Sequence, residues 1–210
     1  MSIDSIIFDL DGTLWSAIEG ICEAWKNVIP RHSDITKGIT AKEMESCMGL
    51  QLDEIGEKLF PEFQKERQIN LIKEFCEEEI IYLGKHGGKL FPKLEETLKA
   101  LSEKYKLFIV SNCQDGYIQC FLKAHRLEKY FQDFECPGVT GLSKGENNKL
   151  VIKRNELKNP IYVGDTNKDA ESAKIAGIPF VYARYGFGQV EKCDYDYVID
   201  SFEELLSIDL

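Results

Sequence analysis

The sequence predicts an α/β fold, a doubly wound parallel sheet with an α-helical domain inserted after the first strand. Three observations predict it. Short apolar runs alternate with segments of helical spacing, the order that lays helices on both faces of a parallel sheet. Three of those runs end in Asp, Ser-Asn or Gly-Asp, polar residues at the strand ends where open α/β sheets bind ligands. One long segment, 15–86, carries helical patterns and no convincing strand.

The elements follow in order. Ser5-Ile6-Ile7-Phe8 reads as a buried strand ending at Asp9. The Glu- and Lys-rich segment after it holds helical candidates over Ile21–Val28, Ala41–Met48, Leu52–Phe60 and Phe63–Tyr82. It closes on Gly84-Lys85-His86-Gly87-Gly88, a flexible stretch with an exit hinge near Gly87. The expected division is therefore a core of residues 1–14 and 88–210 and a helical cap of residues 15–87. Leu94 to Tyr105 has apolar residues at 94, 98 and 101, a helical spacing, and leads to a second strand, Leu107–Val110. Helical patterns over Tyr117–His125 and Lys149–Leu157 precede a third strand, Ile161–Val163. Asp169 to Ala176 places alanines at 170, 173 and 176, with Gly177 as a C-terminal stop. Pro179–Tyr182 and Tyr197–Ile199 read as two more strands, and Phe202–Leu206 as a closing helix.

Composition limits the function. Hydrophobic residues make up 43% of the 210, enough for a sizeable core. A net charge of −10 gives no electrostatic footprint for nucleic acid or an anionic membrane. A phosphorylated substrate would need a local positive site, which a metal ion and a lysine or two could supply. The seven cysteines are odd in number and form no CxxC pair, so reduced, mostly buried thiols are expected rather than a zinc framework. Cys113 and the scattered His32, His86 and His125 show no catalytic or metal-ligand spacing. The opening residues lack a basic leader, and no run approaches the roughly 20 apolar residues of a membrane span. A cytoplasmic location is expected.

Asp9-Leu10-Asp11-Gly12-Thr13 sets two carboxylates two residues apart, on one side of an extended segment. Like charges so close are costly without a cation, and a hard divalent ion such as Mg2+ suits oxygen ligands and phosphate chemistry. Gly12 allows a sharp turn and close approach of a ligand to backbone amides. A strand running into an ordinary Asp-Gly turn would also explain this motif taken alone. Ser111-Asn112 and Asp165 at two other strand ends strengthen the first reading.

Asp9-Leu10-Asp11-Gly12-Thr13-Leu14 resembles the first motif of the haloacid dehalogenase superfamily, in its phosphatase branch. Ser111-Asn112 resembles the second motif, Lys144 the third, and Gly164-Asp165-Thr166-Asn167-Lys168-Asp169 the fourth, all in the family's order. Tyr185-Gly186-Phe187-Gly188 is similar to phosphoglycolate phosphatase-like members, a branch shared with β-phosphoglucomutase-like proteins. The inserted segment resembles the family's helical cap, so the likeness covers nearly the whole chain. It implies a Rossmann-like core and a magnesium-dependent phosphatase acting on a small phosphate monoester, phosphoglycolate-like or a sugar phosphate. The alternatives are a sugar-phosphate mutase on the same scaffold and a non-catalytic phosphate-binding protein.

The resemblance also assigns roles. Asp9 would attack phosphorus and form an aspartyl-phosphate, and Asp11 would protonate the leaving oxygen and later activate water. Mg2+ would be held by the Asp9 carboxylate, the Asp11 backbone carbonyl and Asp165. Asp169 would reach the metal or a metal-bound water, or hold Lys144. Ser111 and Asn112 would donate to phosphoryl oxygens beside Gly12 and Thr13, and Lys144 would add positive charge, with Lys149 as its rival. Trp15 and Ser16 would line the entrance, and Gly49-Leu50-Gln51 would form the loop that reads the substrate. Many relatives read Asp-Gly-Thr-Leu-x-Asp-Ser where this chain has Ser16 and Ala17, so substrate assignments do not carry over. The expected partner is a small phosphorylated metabolite, with no nucleic acid or membrane, bound by a monomer or homodimer.

Overall fold

The computed structural model describes residues 3–208. β1 (Ser5–Phe8) enters the centre of the main sheet with all four residues buried. β2 (Trp15–Ser16) follows at once, and then the helical segment: α1 (Ile18–Val28), α2 (Ala41–Glu45), α3 (Leu52–Leu59) and α4 (Lys65–His86). The chain returns through β3 (Lys89–Leu90) to α5 (Leu94–Ser102), β4 (Lys106–Val110), α6 (Tyr117–His125) and β5 (Phe131–Glu135). α7 (Pro137–Thr140), α8 (Lys144–Arg154), β6 (Pro160–Gly164), α9 (Asn167–Ala176), β7 (Phe180–Ala183) and β8 (Tyr197–Ile199) complete the core.

The main sheet has six strands in the order β5-β4-β1-β6-β7-β8, every neighbouring pair parallel. The chain moves from β1 to β4 on one side and to β6 on the other. This reversal opens a crevice at the carboxyl end of β1, where such sheets bind ligands. The period-2 alternation of a strand sorts β1 between two cores. Ile6 and Phe8 join the cluster that includes Leu98, Ile118 and Phe121, whereas Ile7 joins Phe108, Val151, Tyr162 and Ala173.

Several elements differ from the sequence expectation: β3 and α7 are additional, α8 starts at Lys144 rather than Lys149, and α4 continues as helix through residues 84–86, expected to be flexible. β5 makes the sheet six-stranded rather than five. Its residues, Phe-Gln-Asp-Phe-Glu, lack an apolar run because it is an edge strand, and Arg154 reaches over it to Asp133 and Glu135. The residues expected to hold no strand contribute β2, which pairs antiparallel with β3 and ties together the two points where the chain crosses between layers. The closing segment Phe202–Leu206 is a 3-10 helix rather than an α-helix.

The helical segment is built on a stack of aromatic rings. Trp25 of α1 lies parallel to Phe75 of α4, with centroids 4.0 Å apart, and Phe60 extends the stack at 5.9 Å from Phe75. Offset and parallel rings of this kind add to their area burial. Gly87 ends α4 at φ 69° and ψ −178°, a positive-φ extended conformation open essentially to glycine alone. Six cysteines are buried, only Cys193 is exposed, and all seven are free. Among the described residues no helix is long and apolar enough to cross a membrane.

Candidate active site

Register brings the chemistry together. Phe8 stands opposite Ile109 on one side and Val163 on the other, so Asp9, Ser111 and Asp165 emerge side by side from adjacent strand ends. Gly12 turns the chain sharply at φ +84°, and a Cβ there would lie 2.1 Å from Asp165 Oδ2. Only glycine fits such an approach. Gly12→Ala should therefore displace the Asp165 carboxylate. The expected result is a melting temperature several degrees lower and, by calorimetry, divalent-metal affinity weakened by about 10-fold or more. Unchanged affinity would show that Asp165 does not depend on this turn.

Lys144 reaches the centre from the first position of α8. Ser143 caps that helix, accepting from the Glu146 amide, while Glu146 accepts from the Ser143 amide. The lysine side chain is 4% exposed, and its Nζ donates to Asp9 Oδ1 at 2.7 Å and to Asp169 Oδ1 at 2.5 Å. Lys149, the rival candidate, is exposed on the same helix. Asp169 accepts five hydrogen bonds: from Lys144 and the Tyr162 hydroxyl at Oδ1, and from the Asp165 amide, Thr166 amide and Thr166 hydroxyl at Oδ2. That set saturates a carboxylate, which offers about four lone-pair sites.

The electrostatics call for more positive charge than one ammonium. Asp9, Asp165 and Asp169 are buried and each offers an oxygen within 4.8 Å of the others. Burial pushes Asp9 up to about 6, with Asp169 adding and Lys144 opposing. Burial and then Asp9 push Asp11 up to about 8, although the Tyr117 hydroxyl donates to it at 3.1 Å. Burial and the two neighbouring aspartates hold Asp165 well above the usual carboxylate range. For Lys144 burial alone would lower the pKa, yet Asp169 and Asp9 hold it above the ordinary lysine value. Asp165 Oδ2 accepts from the Phe187 amide at 2.7 Å, but its Oδ1 is buried without a hydrogen-bond partner. A buried, unpartnered carboxylate oxygen beside two more carboxylates fits a hard divalent cation.

A cavity of about 50 Å³ lies against Asp9 and Asp11. Ser111, Asn112 and Tyr117 line it from the core, and Met48, Gly49 and Leu50 from the loop before α3. Asn112 Nδ2 donates to the Gly49 carbonyl at 3.0 Å, so this side chain also ties the helical layer to the core. Glu79, which the sequence reading passed over, closes the far wall. It is buried on α4, and accepts from Trp25 Nε1 at 2.5 Å and Gln114 Nε2 at 2.9 Å. Burial raises it to about 7 against those two donors. A signal was available. Glu79 follows Ile72, Phe75 and Cys76 and precedes Leu83 on the buried stripe of α4, a position where helical periodicity calls for an apolar residue.

Other expected residues sit elsewhere. Trp15 does not line the entrance. It is fully buried, edge-on to Tyr117, Phe121 and His125, because β2 pins it beneath the crossing between layers. Gln51 is exposed and outside the cavity lining; it begins α3, and its amide donates to Glu54. Thr13 is buried behind the Asp9 loop, with its carbonyl accepting from the Tyr185 hydroxyl. Cys113 does line the cavity, but burial drives its thiol well above the ordinary cysteine value, which suits packing rather than attack.

Residues 6–183 match the family model described as haloacid dehalogenase-like hydrolase. The chain is similar to pyrophosphatase PpaX of Halalkalibacterium halodurans, with 30% identity over 99% of this chain and 97% of that protein. It is 29% identical to phosphoglycolate phosphatase of Escherichia coli K12 over 67% of this chain, a match that spans 59% of that relative's length. A haloacid dehalogenase-like hydrolase from Bacteroides fragilis superposes with a TM-score of 0.83 at 25% identity, covering 97% of this chain and 100% of that one.

Proposed function

The chain belongs to the haloacid dehalogenase-like hydrolases, and we propose that it is a magnesium-dependent phosphatase that hydrolyses a small phosphate monoester through an aspartyl-phosphate. The observation that carries this reading is the Lys144 ammonium bridging Asp9 and Asp169 beside the unpartnered Asp165 oxygen. In it, residues 15–87 act as a cap over a core of residues 1–14 and 88–210.

An Asp9 carboxylate oxygen attacks phosphorus, and the bond from phosphorus to the leaving oxygen breaks. Protonated Asp11 gives that oxygen its proton, so the product leaves as a neutral alcohol. Water then attacks the phosphorus of the aspartyl-phosphate and gives a proton back to Asp11. Inorganic phosphate departs and the Asp9 carboxylate is restored. The raised Asp11 pKa supports its being protonated at neutral pH for the first transfer. Ser111 donates to the phosphoryl oxygens, and Asn112 does so on exchanging its bond to Gly49. Lys144 neutralises their charge while Asp169 holds it in place.

The Asp9 and Asp165 carboxylates, with the Asp11 backbone carbonyl, would hold Mg2+. When bound, the ion supplies positive charge against the phosphoryl oxygens and the clustered carboxylates. The saturated hydrogen bonding of Asp169 supports a positioning role for that residue rather than direct ligation.

The test is release of p-nitrophenol from p-nitrophenyl phosphate. Turnover should require added Mg2+, stop with a chelator and return when Mg2+ is restored in excess. No release with any divalent metal would overturn the reading.

A further inference from the structure

The far wall of the cavity is chemically unlike the wall a second anionic group would need. The cap supplies Ile21, Trp25, Leu50 and Ile55, which are apolar, and one acid, Glu79. Among the described residues no lysine, arginine or histidine lines the cavity, whose carboxyl side chains are those of Asp9, Asp11 and Glu79. Lys144 lies behind Asp9, engaged by two carboxylates. The substrate's phosphoryl group would thus meet its positive charge at the core, while its leaving group projects toward a negative wall.

Glu79 is held in a defined position. Trp25 donates to one oxygen at 2.5 Å and Gln114 to the other at 2.9 Å. Each carboxylate oxygen has two lone pairs, so one on each remains for a ligand. Trp25 is itself fixed in the ring stack with Phe75. Gln114 follows the Ser111-Asn112 strand end, so cap and core aim this carboxylate together. A buried acid on the apolar stripe of a helix is costly, and a charged partner from the ligand would offset that cost.

We propose that Glu79 selects the leaving group, and that the phosphate monoester this site takes carries an amine on a small apolar body and no second acidic group. This rests on the phosphatase reading and deepens it. An ammonium group would bond to Glu79 while its carbon body fills the apolar wall. A carboxylate in the same place would face Glu79 with no lysine, arginine or histidine on the cavity wall to compensate, a juxtaposition that binding sites avoid. The cavity is small, about 50 Å³, which favours a short chain over a bulky leaving group.

A matched series of two-carbon probes tests this: 2-aminoethyl phosphate, ethyl phosphate and phosphoglycolate, which differ in carrying an ammonium, nothing or a carboxylate. Steady-state phosphate release is measured with Mg2+ for the wild type and for Glu79→Gln, and binding to Asp9→Asn is measured by calorimetry. The wild type is expected to favour 2-aminoethyl phosphate over phosphoglycolate by at least 10-fold in kcat/KM, and over ethyl phosphate as well. Glu79→Gln should shrink the first ratio at least 10-fold, chiefly through KM for the amine.

Phosphoglycolate turned over as well as the amine by the wild type would overturn the inference and leave the phosphatase reading standing. Equal kcat/KM for the ethyl and aminoethyl compounds would overturn it too. Tighter binding of the amine to Asp9→Asn, by 10-fold or more, with no hydrolysis of any probe by the wild type, would support the selection and sink the phosphatase reading instead. The wild-type ratios and the binding series decide the matter even where Glu79→Gln folds poorly.

Discussion

Asp9→Asn is expected to lower phosphate release by about 10⁴-fold or more, comparable to the loss of a catalytic nucleophile in other hydrolases. The amide has nearly the shape of the carboxylate, but it cannot form the acyl-phosphate bond. The fold should survive. Asp9 is one of three buried carboxylates within reach of one another, and the neutral amide removes a like charge from that group. Lys144 keeps Asp169 as its partner. Without metal, the melting temperature should equal or exceed that of the wild type. Turnover and melting curves on the same preparation check both halves. Wild-type rates in a well-folded Asp9→Asn protein would remove Asp9 as the nucleophile.

Lys144→Met should be the most destabilising single change at this site. The substitution keeps the length of the side chain and removes the ammonium, leaving Asp9 and Asp169 buried without their shared donor. Breaking a buried ion pair on one side costs about 3–5 kcal/mol. For a chain of this size that corresponds to a fall of about 6–20 °C in melting temperature. Phosphate release should fall by about 10²-fold or more, since the positive charge bonded to Asp9 is lost. Added Mg2+ should raise the melting temperature of the variant more than that of the wild type, because the uncompensated carboxylates gain a cation. Lys149→Met, altering the exposed lysine of the same helix, is the control and should change neither quantity. A Lys144→Met protein as stable and as active as the control would refute the network.

The chemistry at the strand ends was legible because it is local and directional. Asp9, Ser111 and Asp165 each follow a buried apolar run, and parallel pairing alone is enough to set them side by side. What depended on long-range packing was harder to read. β5 carries Gln132 and Asp133 between its aromatic residues, which obscures an edge strand until Arg154 is seen covering it. Trp15 follows the first motif directly, yet its direction is decided by β3, more than seventy residues later. Glu79 lies in the run Glu77-Glu78-Glu79, which resembles a solvated face, and only the Trp25 and Gln114 donors distinguish the third acid from the other two. Gln51 suggested a substrate contact by its place in a loop, but the start of α3 uses its backbone instead.

The short β2–β3 ribbon also fixes a mechanical ratio. Both chain crossings pass through it, and Gly88 packs so closely on Trp15 that a Cβ would lie 2.6 Å from the ring. Were residues 15–87 to pivot as a cap, the ribbon would be the fulcrum, and α4, which meets it at Gly87, the lever arm. At 1.5 Å per residue Glu79 stands about 12 Å from the fulcrum and Lys65 about 33 Å. A rotation of about 10° would carry Glu79 through roughly 2 Å and the far end of the helix through nearly 6 Å. Such a pivot would move Glu79 only about a third as far as the start of α4.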